Sequence, residues 1–220
     1  MRGVFDIVGP IMIGPSSSHT AGAVRLGRMV RLILGEELIK ATVYLHGSFA
    51  LTHKGHGTDK AITAGLLGME TYDDRIRNVF DLTDQAGLTV EFLVADLGDV
   101  HPNTARIMAR GPSGREVTVT GASIGGGNII IKEIDNYSVE LTGNYHTLIT
   151  IHEDKPGIVA LGTQILAQNE INIAFMRVSR QNRGDQALMI IETDQAVPQK
   201  VVDSIRNVDA VTVALAIPPL

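Results

Sequence analysis

The first half of the chain alternates between helical and strand periodicity. Over 21–34 the apolar residues recur every three or four positions, which predicts an amphipathic helix whose arginines lie on another face. Further helices are predicted over 58–67 and 73–85. Short β-branched or alternating runs predict strands over 42–46, 88–94, 104–109, 116–123 and 128–133. The order indicates early helices followed by an antiparallel meander.

The second half carries a compact pattern of six elements. Strands are predicted over 148–152, 171–179, 186–192 and 211–217, and helices over 158–168 and 198–207. This βαββαβ order is the ferredoxin-like arrangement. Thr142-Gly143-Asn144 has the composition of a linker. We therefore expect an α+β protein with a mixed α/β domain over 1–143 and a ferredoxin-like domain over 144–220.

Composition narrows the class of protein. Hydrophobic residues make up 44% of the 220 residues, which is typical of a globular chain. The 19 basic residues against 24 acidic ones give a net charge of −5, which argues against nucleic acid as the main partner. Residues 1–10 contain no signal-peptide pattern and no apolar run is long enough to span a membrane, so we expect a cytoplasmic protein without a membrane partner.

The chain contains no cysteine. This excludes disulfides, cysteine nucleophiles and any iron–sulfur cluster that this chain holds by itself. The seven histidines show no metal-ligand spacing on a predicted helix, so no metal site is expected in this chain.

The segment Gly14-Pro15-Ser16-Ser17-Ser18-His19-Thr20 places hydroxyls and an imidazole at a predicted helix N-terminus. Free N–H groups and the helix dipole favour an anion there, such as a carboxylate or a phosphate. The alternative interpretation is a helix cap that is rich in serine.

A second polar segment, Gly55-His56-Gly57-Thr58-Asp59-Lys60, precedes another predicted helix. The glycines allow a ligand to approach the backbone closely, and the imidazole of His56 suits proton transfer near neutral pH. A structural loop histidine and a solvated Lys60 are the alternatives. The run Gly125-Gly126-Gly127 lies between two predicted strands, so it favours a turn or bulge over a dinucleotide-binding loop.

These two segments resemble the motifs of the bacterial iron–sulfur-dependent L-serine dehydratases, and the match is to the beta subunit of the two-subunit kind. The resemblance implies that a separate alpha subunit carries a [4Fe–4S] cluster, in agreement with the absence of cysteine here. It also implies that the N-terminal domain resembles the allosteric-substrate-binding domain of some phosphoglycerate dehydrogenases. Besides the cluster, potassium or another monovalent cation is an expected cofactor.

The resemblance implies β-elimination of water from L-serine, with pyruvate and ammonia as products. An iron of the cluster would polarise the serine hydroxyl while a base removes the α-proton. His19 and His56 are the expected catalytic residues, in one pocket at the boundary between the subunits, and either is the base. The expected substrate-binding residues are Ser16, Ser17, Ser18, Thr20, Thr58 and Lys60. For the three serines and Thr20, orientation of a histidine is the alternative to binding the substrate carboxylate. Threonine stays open as a second substrate.

The second domain resembles an ACT domain, a regulatory module that binds small molecules. His152, Asp154, Gly157 and Asn172 match its ligand motifs and are the expected regulatory ligand residues. Asp154 replaces an asparagine of the family pattern, which favours a cation or an ammonium group as ligand, with a helix N-cap as the alternative. A homodimer through this domain is expected. The alternative to an enzyme subunit is a non-catalytic regulatory protein that binds an amino acid.

Overall fold

The computed structural model describes residues 10–220. The signal-peptide prediction concerns residues that, apart from Pro10, lie outside this range. The chain divides into two compact units. The first extends to Asp135 and includes Glu140–Thr142, and the second comprises Asn136–Val139 and Gly143–Leu220.

The first unit combines helices with one six-stranded sheet. A π-helical turn, Ser17–Ala21, leads into α1 (Gly22–Leu34), and α2 (Gly47–His56), α3 (Thr58–Leu66), a 3-10 helix (Asp74–Asn78) and α4 (Val79–Ala86) follow. The strands are β1 (Lys40–Leu45), β2 (Thr89–Val94), β3 (Thr104–Arg110), β4 (Glu116–Gly125), β5 (Asn128–Ile134) and β6 (Tyr137–Leu141). Their order in the sheet is β2-β1-β3-β4-β5-β6. The pair β1–β2 is parallel, and β1–β3, β3–β4 and β4–β5 are antiparallel.

Two glycines allow α1 and α3 to pack closely. A Cβ added at Gly27 would lie 2.3 Å from the Ile62 carbonyl oxygen, and one added at Gly65 would lie 2.0 Å from the Val24 carbonyl oxygen. Neither helix has room for a side chain at these positions. The contact therefore fixes the spacing of the two helices that begin at the serine-rich and glycine-flanked polar segments.

The second unit consists of β7 (His146–Glu153), α5 (Ile158–Gln168), β8 (Ile173–Arg180), β9 (Gln186–Thr193), α6 (Gln199–Arg206) and β10 (Val211–Ile217). Its antiparallel sheet has the order β10-β7-β9-β8. Apolar side chains of the sheet and both helices form its core, including Leu148, Leu166, Met189, Ile191, Val202 and Ile205. The βαββαβ prediction and the α+β class are thus confirmed.

Three local predictions were wrong or incomplete. Residues 47–56 form α2, where no helix was predicted, because Phe49 is the only buried residue of this segment and gives no apolar periodicity. The predicted helix over 73–85 is divided into the 3-10 helix and α4, and the short strand β6 was missed. The run Gly125-Gly126-Gly127 has φ values of +100°, +61° and +80° and forms the turn between β4 and β5.

Candidate active site

The serine-rich segment forms a tight turn that orients His19. Ser16 has extended backbone and is the N-cap of the π-helical turn, and its Oγ accepts a hydrogen bond from the His19 amide over 3.3 Å. The cap alternative from the sequence is therefore correct for Ser16. The same hydroxyl also reaches the side chain of His19, so capping and orientation of the imidazole are joined in one residue.

Hydroxyl groups contact both ring nitrogens of His19. Nδ1 lies 3.1 Å from Ser18 Oγ and 3.4 Å from Ser16 Oγ, and Nε2 lies 3.1 Å from Ser48 Oγ. A hydroxyl either donates or accepts, so this arrangement supports either tautomer of the neutral ring. His19 is buried, and Phe49 packs edge-on against it with 5.3 Å between ring centroids.

Ser48 and Phe49 contact His19 and were not predicted from the sequence. They lie in the first turn of α2, and their amides donate to the Pro102 carbonyl oxygen over 2.8 and 3.4 Å. Gly47 has φ +52°, and a Cβ there would lie 2.7 Å from the same oxygen. The loop before β3 therefore holds the start of α2 in place beside His19. No local sequence signal connects Pro102 to this site.

His56 meets His19 from the opposite end of α2. It is the last residue of that helix, and Gly57, with φ +69°, ends α2 and begins α3. The two imidazoles are nearly perpendicular, with 5.0 Å between centroids. His56 is exposed, whereas His19 is buried. Both predicted catalytic histidines thus lie in one site.

The buried position of His19 affects its protonation. Burial lowers the pKa of the His19 imidazole from its ordinary value of 6.5, the charge of His56 lowers this pKa further, and hydrogen bonding to Ser48 opposes both effects. The neutral ring is therefore favoured at neutral pH.

An open cavity of about 420 Å³ lies beside His56. Its polar and glycine lining includes Gly14, Thr20, Lys54, His56, Lys60 and Arg77. Thr20 is buried, and its Oγ1 has no hydrogen-bond partner within residues 10–220. The Lys60 ammonium donates to the Arg77 carbonyl oxygen over 2.8 Å. The lining carries three cationic side chains and no carboxylate, so the cavity suits an anionic ligand.

The structure places the predicted substrate-binding residues in three groups: some line the cavity, some contact His19, and some do neither. Thr20 and Lys60 line the cavity, whereas Ser16 and Ser18 contact His19. Ser17 makes neither contact in the part of the chain that the structure describes. Thr58 is fully buried and lies outside the cavity lining. Lys54 and Arg77 line the cavity and were not predicted.

The predicted regulatory residues lie at two ends of the second unit. His152 is buried, its Nδ1 is 2.8 Å from the Glu153 carbonyl oxygen, and its Nε2 has no partner within residues 10–220. His152 pairs with Ala187 on β9, whereas Asn172 bonds Asp194 over 2.6 Å at the other end of β9. Seven residues of strand separate these positions by about 20 Å. One copy of the unit does not bring His152 and Asn172 together.

Asp154 does not cap α5, because Gly157 is the N-cap residue. The Asp154 carboxylate accepts hydrogen bonds from Arg180 Nη1 over 2.7 Å and from the Gly184 amide over 3.0 Å. The Gly184 amide and then the Arg180 guanidinium lower the pKa of this carboxyl group. The N-cap alternative is wrong, and the cation beside Asp154 in this structure is the Arg180 side chain.

Comparison with known proteins accounts for both units. The family model "Serine dehydratase beta chain" matches residues 3–89, and the ACT domain model matches residues 146–210. The chain is 46% identical over 204 residues to a probable L-serine dehydratase beta chain of Bacillus subtilis, with 93% of this chain and 92% of that one covered. The chain belongs to the serine dehydratase beta chain family.

Two further relatives define the extent of the match. An L-serine dehydratase beta chain of Peptoniphilus asaccharolyticus is 37% identical over 211 residues, which cover 96% of this chain and 95% of that one. An L-serine dehydratase of Streptomyces coelicolor is 35% identical over 152 residues, which cover 58% of this chain but 33% of that protein. This chain thus matches nearly the whole of a beta chain in one kind of relative and a part of a longer protein in another.

The residues of this chain do not fit an iron–sulfur cluster. The chain has no cysteine thiolate, and hydroxyl groups occupy both nitrogens of His19. Across residues 10–220, no three histidine, aspartate or glutamate side chains are grouped so that they would hold a metal ion. Over the same range, none of the helices is long and apolar enough to cross a membrane.

Proposed function

We propose that the chain is the beta subunit of an L-serine dehydratase, which converts L-serine to pyruvate and ammonia together with a partner chain. The observation that carries this proposal is the cationic cavity beside the pair of imidazoles, His19 and His56, in a member of the serine dehydratase beta chain family. The carboxylate of serine is the group that such a cavity attracts, and the imidazoles are the groups that move its α-proton.

In this proposal the substrate carboxylate binds near Thr20 and Lys60. The Thr20 hydroxyl is a buried donor without a partner in the described residues, and Lys60 is held by the Arg77 carbonyl oxygen. A buried donor that gains a charged acceptor forms a strong hydrogen bond. Gly14 leaves the space beside Thr20 free, since a Cβ there would lie 2.4 Å from Thr20 Oγ1.

We assign proton abstraction to His56, with His19 as the residue that positions it. His56 lines the cavity, whereas both nitrogens of His19 are taken by hydroxyl groups. The base takes the proton from the α-carbon, the electron pair forms the Cα–Cβ double bond, and the β-hydroxyl leaves as water after it receives a proton. The aminoacrylate product tautomerises to an imine, which water hydrolyses to pyruvate and ammonia.

The partner chain supplies what this chain lacks. We propose that it is an alpha subunit with a [4Fe–4S] cluster, which when bound provides a Lewis acid for the serine hydroxyl. The longer relative from Streptomyces coelicolor supports the need for additional sequence, since this chain matches 33% of it. The beta chain then binds the carboxylate, orients the imidazoles and moves the proton.

Reconstitution tests this proposal. We expect the purified chain to form no pyruvate from serine, and to gain that activity when combined anaerobically with a cysteine-containing alpha chain. Pyruvate formation by the chain alone would contradict the two-subunit assignment. A complex that forms with the alpha chain but does not convert serine would contradict the proposed reaction.

The second unit supports a regulatory role beside the catalytic one. His152 and Asn172 lie at opposite ends of the sheet, so a site that uses both needs a second copy of the unit. The edge strand β8 exposes Phe175, Met176 and Val178. Antiparallel pairing of two β8 strands about a twofold axis brings Asn172 of one copy towards Arg180 and Asp154 of the other. We propose a homodimer through β8 with amino-acid ligand sites between the copies.

A further inference from the structure

The cavity beside His56 carries more positive charge than one substrate carboxylate requires. Besides Lys60, the lining includes Lys54 in the last turn of α2 and Arg77 in the 3-10 helix. Neither of these two side chains has a carboxylate partner within residues 10–220, and both are exposed. Two unpaired cations that line one cavity make a strong electrostatic preference for a second anionic group.

The acidic residues nearby do not neutralise these cations. Asp59 accepts a hydrogen bond from the Lys60 amide, and Asp73 pairs with Arg75 in a fork of hydrogen bonds. The ammonium of Lys60 is directed to the Arg77 carbonyl oxygen. Lys54 and the Arg77 guanidinium are therefore left as the free cations of the lining within the described residues.

The size of the cavity permits a ligand larger than serine. A cavity of about 420 Å³ lies in the range of about 300–1,000 Å³ that holds ligands of drug size. Arginine suits a planar or tetrahedral oxyanion because its guanidinium donates two parallel hydrogen bonds, and lysine adds a point charge. This pair of donors suits a phosphate better than the uncharged hydroxyl of serine.

We propose that Lys54 and Arg77 form a second anion subsite, so that the cavity binds three-carbon amino or hydroxy acids that carry a phosphate in place of the free hydroxyl. The carboxylate of such a ligand binds near Thr20 and Lys60, and its phosphate binds Lys54 and Arg77. The inference rests on the proposed function only in the assignment of the carboxylate end. A ligand of this class occupies the cavity and excludes serine, because both use the same carboxylate position.

Calorimetry on the full 220-residue chain tests the subsite, with O-phospho-L-serine and L-serine as probes. At neutral pH the phosphate carries between one and two negative charges. We expect O-phospho-L-serine to bind at least about tenfold more tightly than serine, and its affinity to fall as salt rises because the added contact is ionic. Inorganic phosphate is expected to compete with it.

The double variant Lys54→Gln/Arg77→Gln is expected to lose this preference and most of the salt dependence. The matched control is Arg183→Gln/Lys200→Gln, which removes the same charge from exposed positions outside the cavity. A thermal melt of each variant checks that the fold is retained. Equal affinity for the two probes, no binding of O-phospho-L-serine, or an unchanged preference in the double variant would each overturn the subsite.

Binding to the subsite does not depend on the partner chain. If reconstitution yields no serine dehydratase activity but the preference for O-phospho-L-serine depends on Lys54 and Arg77, the subsite stands and the proposed reaction fails. If the reconstituted enzyme is active but the preference for O-phospho-L-serine is missing, the proposed reaction stands and the subsite fails.

Discussion

At the scale of single residues, the site depends on hydroxyl groups that hold one imidazole. The sequence allowed His19, His56 and Ser16 to be recognised, because they lie in short motifs at predicted helix starts. Ser48 was not recognisable, since 29 positions separate it from His19 and only the folded chain joins them. Lys54 and Arg77 were not recognised for a different reason, because an isolated basic residue is normally solvated.

The first residue-scale prediction concerns His56. The variant His56→Asn removes the proposed base but keeps a polar side chain at the cavity. We expect kcat to fall by about 10²–10⁴-fold with a small change in KM, because a general base acts mainly in the transition state. Steady-state kinetics and exchange of the serine α-proton with solvent measure this in the assembled enzyme. Retention of α-proton exchange would transfer the role of base to His19.

Ser48 carries the second residue-scale prediction. The variant Ser48→Ala removes the hydrogen bond between the Ser48 hydroxyl and His19 Nε2. We expect kcat/KM to decrease by about fivefold, equivalent to one net hydrogen bond of about 1 kcal/mol, because the ring of His19 loses one of its fixed partners. Steady-state kinetics of the assembled enzyme measure this loss, and the NMR signals of the His19 ring nitrogens report the loss of the hydrogen bond. Ser204→Ala, at an exposed position of α6, is the control, and an unchanged kcat/KM in Ser48→Ala would show that Ser48 does not position the ring.

At the scale of elements, helices α1 and α3 show how far pattern analysis extends. Their existence was predicted from periodicity, whereas α2 was not, because Phe49 is its one buried residue. The contact between Gly27 and Gly65 was also not foreseeable, since a glycine within a helix has several explanations. The fold of the second unit was predicted well because each of its strands and helices carries its own apolar repeat.

A glycine-to-alanine substitution is expected to have opposite effects inside the contact of α1 with α3 and at a helix position outside it. Gly65→Ala places a Cβ 2.0 Å from the Val24 carbonyl oxygen, so we expect a loss of about 1–3 kcal/mol in the free energy of unfolding. Gly162→Ala, in α5, places a Cβ 3.4 Å from Met189 Cε, an ordinary contact. Alanine has the better helix propensity, so we expect a gain of up to about 1 kcal/mol there. Urea denaturation measures both, and equal effects at the two sites would contradict this packing.

At the scale of the whole molecule, the two units present exposed edge strands. β8 carries Phe175, Met176 and Val178, and β2 carries Leu93 and Val94. An exposed apolar edge favours pairing with another strand. The sequence led us to expect association through the second unit from its family resemblance, whereas the exposure of β2 became visible only in the folded chain.

The proposed homodimer predicts which edge pairs. We expect Val178→Lys to convert the dimer to a monomer or to weaken it at least about tenfold, because the lysine charges of two adjacent β8 strands repel each other. Sedimentation equilibrium of the full chain measures the dissociation constant. Leu93→Lys is the matched control on β2. A dimer that survives Val178→Lys but dissociates with Leu93→Lys would assign the interface to the other edge strand.

The glycine contact between α1 and α3 also has a consequence for how the chain tolerates change. Gly27 comes five positions after the first residue of α1 and Gly65 comes seven after the first residue of α3, so the contact lies about 8–11 Å from the helix starts that adjoin the two histidines. A substitution that separates the helices there also rotates their first turns apart. In a saturation library of α1, we therefore expect substitutions at this contact to lower serine turnover in variants that are still expressed at normal levels. Second-site substitutions that restore turnover should map to α3.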